Sequence, residues 1–152
     1  MKRVYINEEV CMGCHLCEVY CQLEHSQSKD LIKAFKKESP QPLPLVWVEK
    51  REPISFAVQC RHCAEPHCVY ACLTGALKWE PGSGVVAVDM EKCIGCWTCI
   101  LACPFGVIRQ DIHQGRVAKC DLCQGESMPA CVANCPNEAL VFAETKDDIT
   151  NR

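Results

Sequence analysis

Sixteen cysteines dominate this 152-residue chain, and their spacing limits what it can become. They fall into four groups of four: CMGCHLCEVYC (11–21), CRHCAEPHCVYAC (60–72), CIGCWTCILAC (93–103) and CDLCQGESMPACVANC (120–135), with none left over. The first and third groups follow C-x2-C-x2-C-x3-C. The other two lengthen one interval and keep the final C-x3-C. Thiols repeated at such short intervals have to be tied, either to one another or to metal.

The two choices belong to different compartments. MKRVYINEEV carries one basic pair followed directly by polar and acidic residues, with no apolar signal region and no twin arginine. No apolar run approaches the roughly 18 residues of a membrane span. The expectation is a cytoplasmic chain with no membrane insertion, and in a reducing compartment the thiols point to metal. The apolar fraction of 49 % counts the cysteines, so burial alone leaves little to organise the fold. A net charge of -3 offers no basic face for nucleic acid, so the expected partners are other proteins.

The spacing also selects among metals. A 4Fe-4S cubane needs four thiolates around a body several ångströms across, with backbone N–H groups turned toward its sulfides. Two intervening residues let successive sulfurs reach adjacent iron corners. The fourth cysteine lies one helical turn beyond the third, so the chain is already leaving the site. In two-cluster proteins of this spacing that cysteine ligates the other cluster, which gives Cys103 to a neighbouring cubane, with Pro104 ending the helix behind it. Zinc also uses C-x-x-C, but it pairs two such knuckles in one tetrahedron and leaves a third nearby thiol idle. A zinc-binding structural or interaction module without redox role is the alternative reading. No nucleophile with its base, phosphate loop or dinucleotide fingerprint is present, so the chain reads as an electron carrier and not an enzyme.

The repeat extends past the cysteines. Helical turns are expected to carry each C-x3-C, over 16–24, 66–72, 97–103 and 129–135. ALKW and VVAVD around Pro81-Gly82-Ser83-Gly84 read as a hairpin, as do VIRQDI and RVAK around Gln114-Gly115, and PNEALVF turns into a strand. Residues 22–59 differ. DLIKAFKKE predicts a short amphipathic helix begun by Asp30, with Leu31, Ile32 and Phe35 apolar; SPQPLPL is extended; LVWVEK and ISFAVQ alternate as two strands. This segment covers the chain's own clusters or docks a partner. The tail KDDITNR is polar and expected to fray. The fold class is α+β.

INEEVCMGCHLCEVYC, AVQCRHCAEPHCVYAC, VDMEKCIGCWTCILACPFGVI and KCDLCQGESMPACVANCPNEAL, taken in order, resemble the four motifs of the four-cluster ferredoxin-like (polyferredoxin) electron-transfer subunits. These accompany formate dehydrogenases, hydrogenases, aldehyde oxidoreductases and carbon monoxide dehydrogenase, and the chain is most similar to the carbon monoxide dehydrogenase-associated iron-sulfur subunit. The resemblance implies four 4Fe-4S clusters in two dicluster units related by a pseudo-twofold axis. One unit would comprise 1–25 with 104–143 and the other 54–103, with 26–53 inserted and 144–152 a tail. It implies one cluster on Cys11, Cys14, Cys17 and Cys135, and a second on Cys21, Cys120, Cys123 and Cys131. A third would take Cys60, Cys63, Cys68 and Cys103, and a fourth Cys72, Cys93, Cys96 and Cys99. Spacing alone leaves a tandem pairing of groups one and two open, although the short gap from Cys72 to Cys93 favours joining two with three. The implied partners are a catalytic oxidoreductase subunit and a second donor or acceptor in a hetero-oligomer.

Two features depart from the family pattern without removing a ligand. Leu73 replaces the proline expected after Cys72, and a helical continuation from Gln22 follows Cys21. Trp97 sits between intact Cys96 and Cys99, so group three keeps all four thiols. With every site supplied by cysteine, His15, His62 and His67 read as supporting or surface residues, and Trp79 and Trp97 as apolar shields. Lys92 and Lys119, each beside a cysteine, are expected to raise a nearby reduction potential by their charge.

Overall fold

The first and last strands of the described residues form one ribbon. In the computed structural model, which describes residues 1–144, β1 (Arg3–Ile6) runs antiparallel to β8 (Leu140–Ala143), with Arg3 opposite Ala143 and Ile6 opposite Leu140. Three hairpins complete the β structure: β2 (Val46–Arg51) with β3 (Ile54–Gln59), β4 (Leu77–Trp79) with β5 (Val86–Val88), and β6 (Arg109–Asp111) with β7 (Arg116–Ala118). Each of these sheets has two strands. A two-stranded ribbon is marginal alone, so each must pack on something else. The expected tail falls outside the described residues apart from Glu144.

Helices occur at all four C-x3-C segments. α1 (Leu16–Glu24) has the expected bounds and runs on past Cys21, while α3 (His67–Tyr70), α4 (Thr98–Ala102) and α5 (Ala130–Ala133) are one-turn pieces. Proline explains their brevity. Pro66 and Pro129 stand at the N-caps of α3 and α5, and Cys103, the residue before Pro104, is extended at φ −77°, ψ 113°, as the clash with a following proline ring favours.

The intervening helix α2 (Leu31–Lys36) starts where expected, with Asp30 Oδ1 accepting the Lys33 N–H at 2.9 Å, a cap worth about 1 kcal/mol. Its apolar face is not the expected one. Ala34 is the buried residue, whereas Leu31 and Ile32 are exposed. The small side chain seats the helix, and the larger ones point to solvent.

Apolar packing forms two main centres, each interleaved with cysteine. Val4, Leu45, Val46, Ala57, Val85, Leu122 and Leu140 surround Cys17, Cys21 and Cys131; Leu77, Val86, Ile108 and Val117 surround Cys99. The β2/β3 hairpin therefore covers the first cysteine group, and the β6/β7 hairpin packs with groups two and three. Nothing local marks β1 in the sequence, because four residues with a partner at the far end of the chain carry no short-range signal.

Groups one and three share one loop conformation. Gly13 and Gly95 have φ +68° and +67°, and His15 and Trp97, each two residues on, have φ 61° and 62°. Alternating the backbone in this way turns successive N–H groups to one side and makes an anion-binding concavity. At Gly95 the demand is doubled, because a Cβ would overlap the Gly115 carbonyl oxygen, whereas Gly75 (φ +64°) has open space around it. Gly75→Ala should bear only the left-handed penalty of about 1–2 kcal/mol and retain full iron. Gly95→Ala should lose about a quarter of the iron, one cubane's share of four, read by metal analysis of anaerobic protein.

Candidate metal centres

The fold gathers the cysteines across group boundaries. Cys11, Cys14 and Cys17 line one cavity together with Cys135, walled by Val48, Ala57 and Leu140. Cys60, Cys63, Cys68 and Cys103 line a second, with His62, Ile108 and Lys119. Cys72, Cys93, Cys96 and Cys99 line a third, with Leu77, Trp97 and Val117. The remaining four lie together inside: the Cys131 thiol is pushed up by burial and then by the nearby Cys120, Cys21 and Cys123. Helical turns make the crossing, since Cys17 and Cys21 on α1 sit at i and i+4 and serve different sets.

The thiols of each set surround a space and do not meet at a point. Among the described residues, no three His, Cys, Asp or Glu side chains converge as a single ion requires. In the metal-free chain, burial pushes Cys17 up to about 12 and Cys99 up to about 11, and moves Cys120 upward as well. Only a bound cation reverses this, because neighbouring thiolates in low dielectric repel one another. Cys96 goes the other way: the Thr98 hydroxyl at 3.5 Å favours its thiolate. Backbone donors already face other sulfurs, Leu45 N–H to Cys21 at 3.3 Å, His62 N–H to Cys60 at 3.4 Å and Leu122 N–H to Cys120 at 3.5 Å. Such donors stabilise sulfur-borne negative charge and set cluster potentials.

The residues singled out beside the cysteines separate clearly. His15 pairs with Glu18 at 3.0 Å on the surface, and His67 is exposed. Lys92 pairs with Asp89 at 3.3 Å and is half exposed. Trp97 shields the third cavity, and Trp79 is partly buried against the second apolar centre. His62 and Lys119 are buried, and Lys119 Nζ donates to the carbonyls of Val86 at 2.7 Å and Cys120 at 2.9 Å. A lysine ammonium buried without a carboxylate is costly unless another anion compensates it, and iron-thiolate clusters are anions. These features fit 4Fe-4S clusters.

Sequence reasoning did not find His25. Its Nδ1–H donates to the Cys21 carbonyl at 2.8 Å and its Nε2 meets Asp121 Oδ1 at 3.1 Å, tying α1 to group four. The Asp121 carboxylate, then Cys21, holds this imidazole well above its ordinary value. Gln59, whose amide oxygen lies 3.8 Å from the Cys131 sulfur, was likewise invisible. Both contacts join residues far apart in sequence.

Residues 52–145 match the family of 4Fe-4S dicluster domains. The chain belongs to this family. It is 37 % identical to the electron transport protein HydN of Escherichia coli over 88 % of this chain and 83 % of that one. It is 34 % identical to a subunit of the sulfite dehydrogenase of Allochromatium vinosum, covering 93 % of this chain and 68 % of that one. With the E. coli putative oxidoreductase AegA it shares 36 % identity over 90 % of this chain but only 21 % of that protein. Among solved structures, the active site complex BamBC of benzoyl coenzyme A reductase as isolated superposes with a TM-score of 0.50 at 21 % identity, covering 99 % of this chain and 87 % of that one. That likeness shows the fold, an α+β dicluster ferredoxin. The chain is thus an iron-sulfur electron carrier binding 4Fe-4S clusters, with thiols enough for four, and the zinc module is set aside. Among the described residues no helix is long and apolar enough to cross a membrane.

Because the thiols occupy the middle of both apolar centres, metal loading and folding should be one event. Anaerobic chelation of iron should abolish near-UV circular dichroism and most far-UV structure; a native-like spectrum from iron-free protein would contradict this.

Proposed function

We propose that this chain relays electrons between a catalytic oxidoreductase subunit and a second redox protein through a row of four 4Fe-4S clusters. Their ligands are Cys11, Cys14, Cys17 and Cys135; Cys21, Cys120, Cys123 and Cys131; Cys60, Cys63, Cys68 and Cys103; and Cys72, Cys93, Cys96 and Cys99, in that order along the row. When bound, each cluster supplies a one-electron redox centre.

The observation that carries this reading is the crossing of sets within each C-x3-C segment. Cys17 and Cys21, Cys68 and Cys72, Cys99 and Cys103, and Cys131 and Cys135 each stand four residues apart. On α1 that step is about 6 Å of helical rise, and in the other three segments the first cysteine lies on the helix and the second just past its end. Cys60 and Cys120 lie close enough for the first to raise the second's thiol, which supports a junction between the two middle sets. Cys14 and Cys96, from the first and last sets, are exposed, although each of those sets also buries one thiol (Cys17 and Cys99), while the cysteines of the two middle sets are buried or half-buried. That contrast favours entry and exit at the ends. The chain's own residues hold the spacing, exclude water and direct N–H donors to sulfur.

In the same reading, residues 1–25 with 104–143 form one dicluster unit, 54–103 the other, and 26–53 an insertion that supplies β2 of the hairpin roofing the first unit, with β3 coming from 54–103. The β6/β7 hairpin leans toward the second unit through Ile108 and Val117. The favoured catalytic partner is carbon monoxide dehydrogenase, on the motif resemblance, with formate dehydrogenase, hydrogenase and aldehyde oxidoreductase the other candidates, and the complex is cytoplasmic. Similarity to a subunit of sulfite dehydrogenase supports a place in a hetero-oligomer.

Anaerobic holoprotein should contain about sixteen irons per chain, four for each cubane. Carbon monoxide with a catalytic amount of carbon monoxide dehydrogenase should bleach its visible absorbance. Iron far below that content overturns the four-cluster reading. Full iron with bleaching only by formate dehydrogenase, or only by hydrogenase, moves the partner and leaves the relay standing.

A further inference from the structure

His62 is 1 % exposed and lines the cavity of Cys60, Cys63, Cys68 and Cys103. Its Nδ1 receives the Val86 N–H at 3.0 Å and faces Lys119 Nζ at 3.5 Å. Two donors aimed at one ring nitrogen leave it no proton, so the neutral ring carries its hydrogen on Nε2. That Nε2 is buried and has no hydrogen-bond partner among the described residues. Native structures rarely leave a buried donor unpaired, and the exceptions ask for an acceptor from outside the chain, such as an ion or cofactor.

Lys119 fixes this arrangement. Its ammonium is anchored by the Val86 and Cys120 carbonyls, its remaining donor direction faces His62, and it makes no ion pair among the described residues. Val86 thus contributes its N–H to the histidine and its carbonyl to the lysine, which holds both side chains to one residue of β5. The Cys120 carbonyl adds a tether from the neighbouring set. The pair stands where the two middle sets approach each other.

We propose that the Nε2–H of His62 donates a hydrogen bond to a sulfur of the cluster held by Cys60, Cys63, Cys68 and Cys103, and that Lys119 is the positioning residue that sets the ring and its tautomer. The pair holds that cluster's reduction potential above the value it would have without them, because a donor to sulfur favours the form carrying the added electron. The inference rests on the ligand sets proposed above.

The test uses anaerobic holoprotein labelled with 15N-histidine, with iron analysis of every sample. Pulsed EPR of the reduced clusters should show an imidazole nitrogen coupling that disappears in His62→Gln. The glutamine amide can still accept the Val86 N–H and offer a donor, so that variant should keep its midpoints near wild type. His62→Leu should lower one midpoint by about tenfold in the oxidised-to-reduced ratio at fixed potential, or about 59 mV for a one-electron couple. Lys119→Met should weaken the coupling and move the same midpoint in the same direction. Unchanged midpoints in fully loaded His62→Leu overturn the proposal. So does a coupling spectrum identical in wild type and His62→Gln, which decides the matter even if the leucine variant loses iron. Unchanged coupling and midpoints in Lys119→Met strike out its positioning role. Wild-type iron far below four clusters fails the ligand sets first, and this inference with them.

Discussion

Buried thiolates repel one another, and nearly everything in this molecule follows from the need to neutralise them. Cys17, Cys99, Cys120 and Cys131 are pushed up chiefly by burial, with neighbouring thiols adding to it, so the metal-free chain would keep them protonated. Iron supplies the missing charge. The apolar residues around them are too few and too small in reach to fold without that centre: strands of three to six residues and helices of four to nine are pieces that only a shared anchor can collect.

The same constraint accounts for the crossed sets of the proposed relay. A helix that places one cysteine into a cavity and another, four residues on, into the next serves two sites while ordering a single turn. It also makes the sites neighbours by construction. The hairpins then act as lids. Val48 and Ala57 of β2 and β3 wall the first cavity, and Val117 of β7 walls the third. Apolar cover of this kind keeps water from the sulfurs, and with donor hydrogen bonds it is a main lever a protein has over a cluster's potential.

Charge is placed with equal selectivity. Lys92 is paired with Asp89 at the surface, whereas Lys119 is buried with carbonyls and an imidazole for company. From the sequence both are lysines immediately before a cysteine. Burial makes only one of them a fixed cation beside the ligand sets, with the screening of water removed.

Much of this was legible before any coordinate. Cysteine count and spacing are local properties, and cluster chemistry is unforgiving about both, so the metal type and the helical turns at each C-x3-C could be read directly. The β4/β5 and β6/β7 hairpins announced themselves through turn residues, β2 and β3 through alternation alone, and α2 through Asp30. Other features needed the third dimension. β1 meets β8 only when the two segments come together; Ala34, not Leu31 or Ile32, is the buried residue of α2, a choice made by the elements it packs against and not by its own pattern. His25 reaches Asp121, and His62 meets Lys119, across stretches of chain that carry no common pattern. The one-dimensional string determined which atoms are available to hold iron, because coordination is dictated by residue type and short spacing. Which side chains surround those atoms, and with what charge and hydrogen bonds, was decided by tertiary packing, because contacts between distant segments exist only after the chain has closed around its metal.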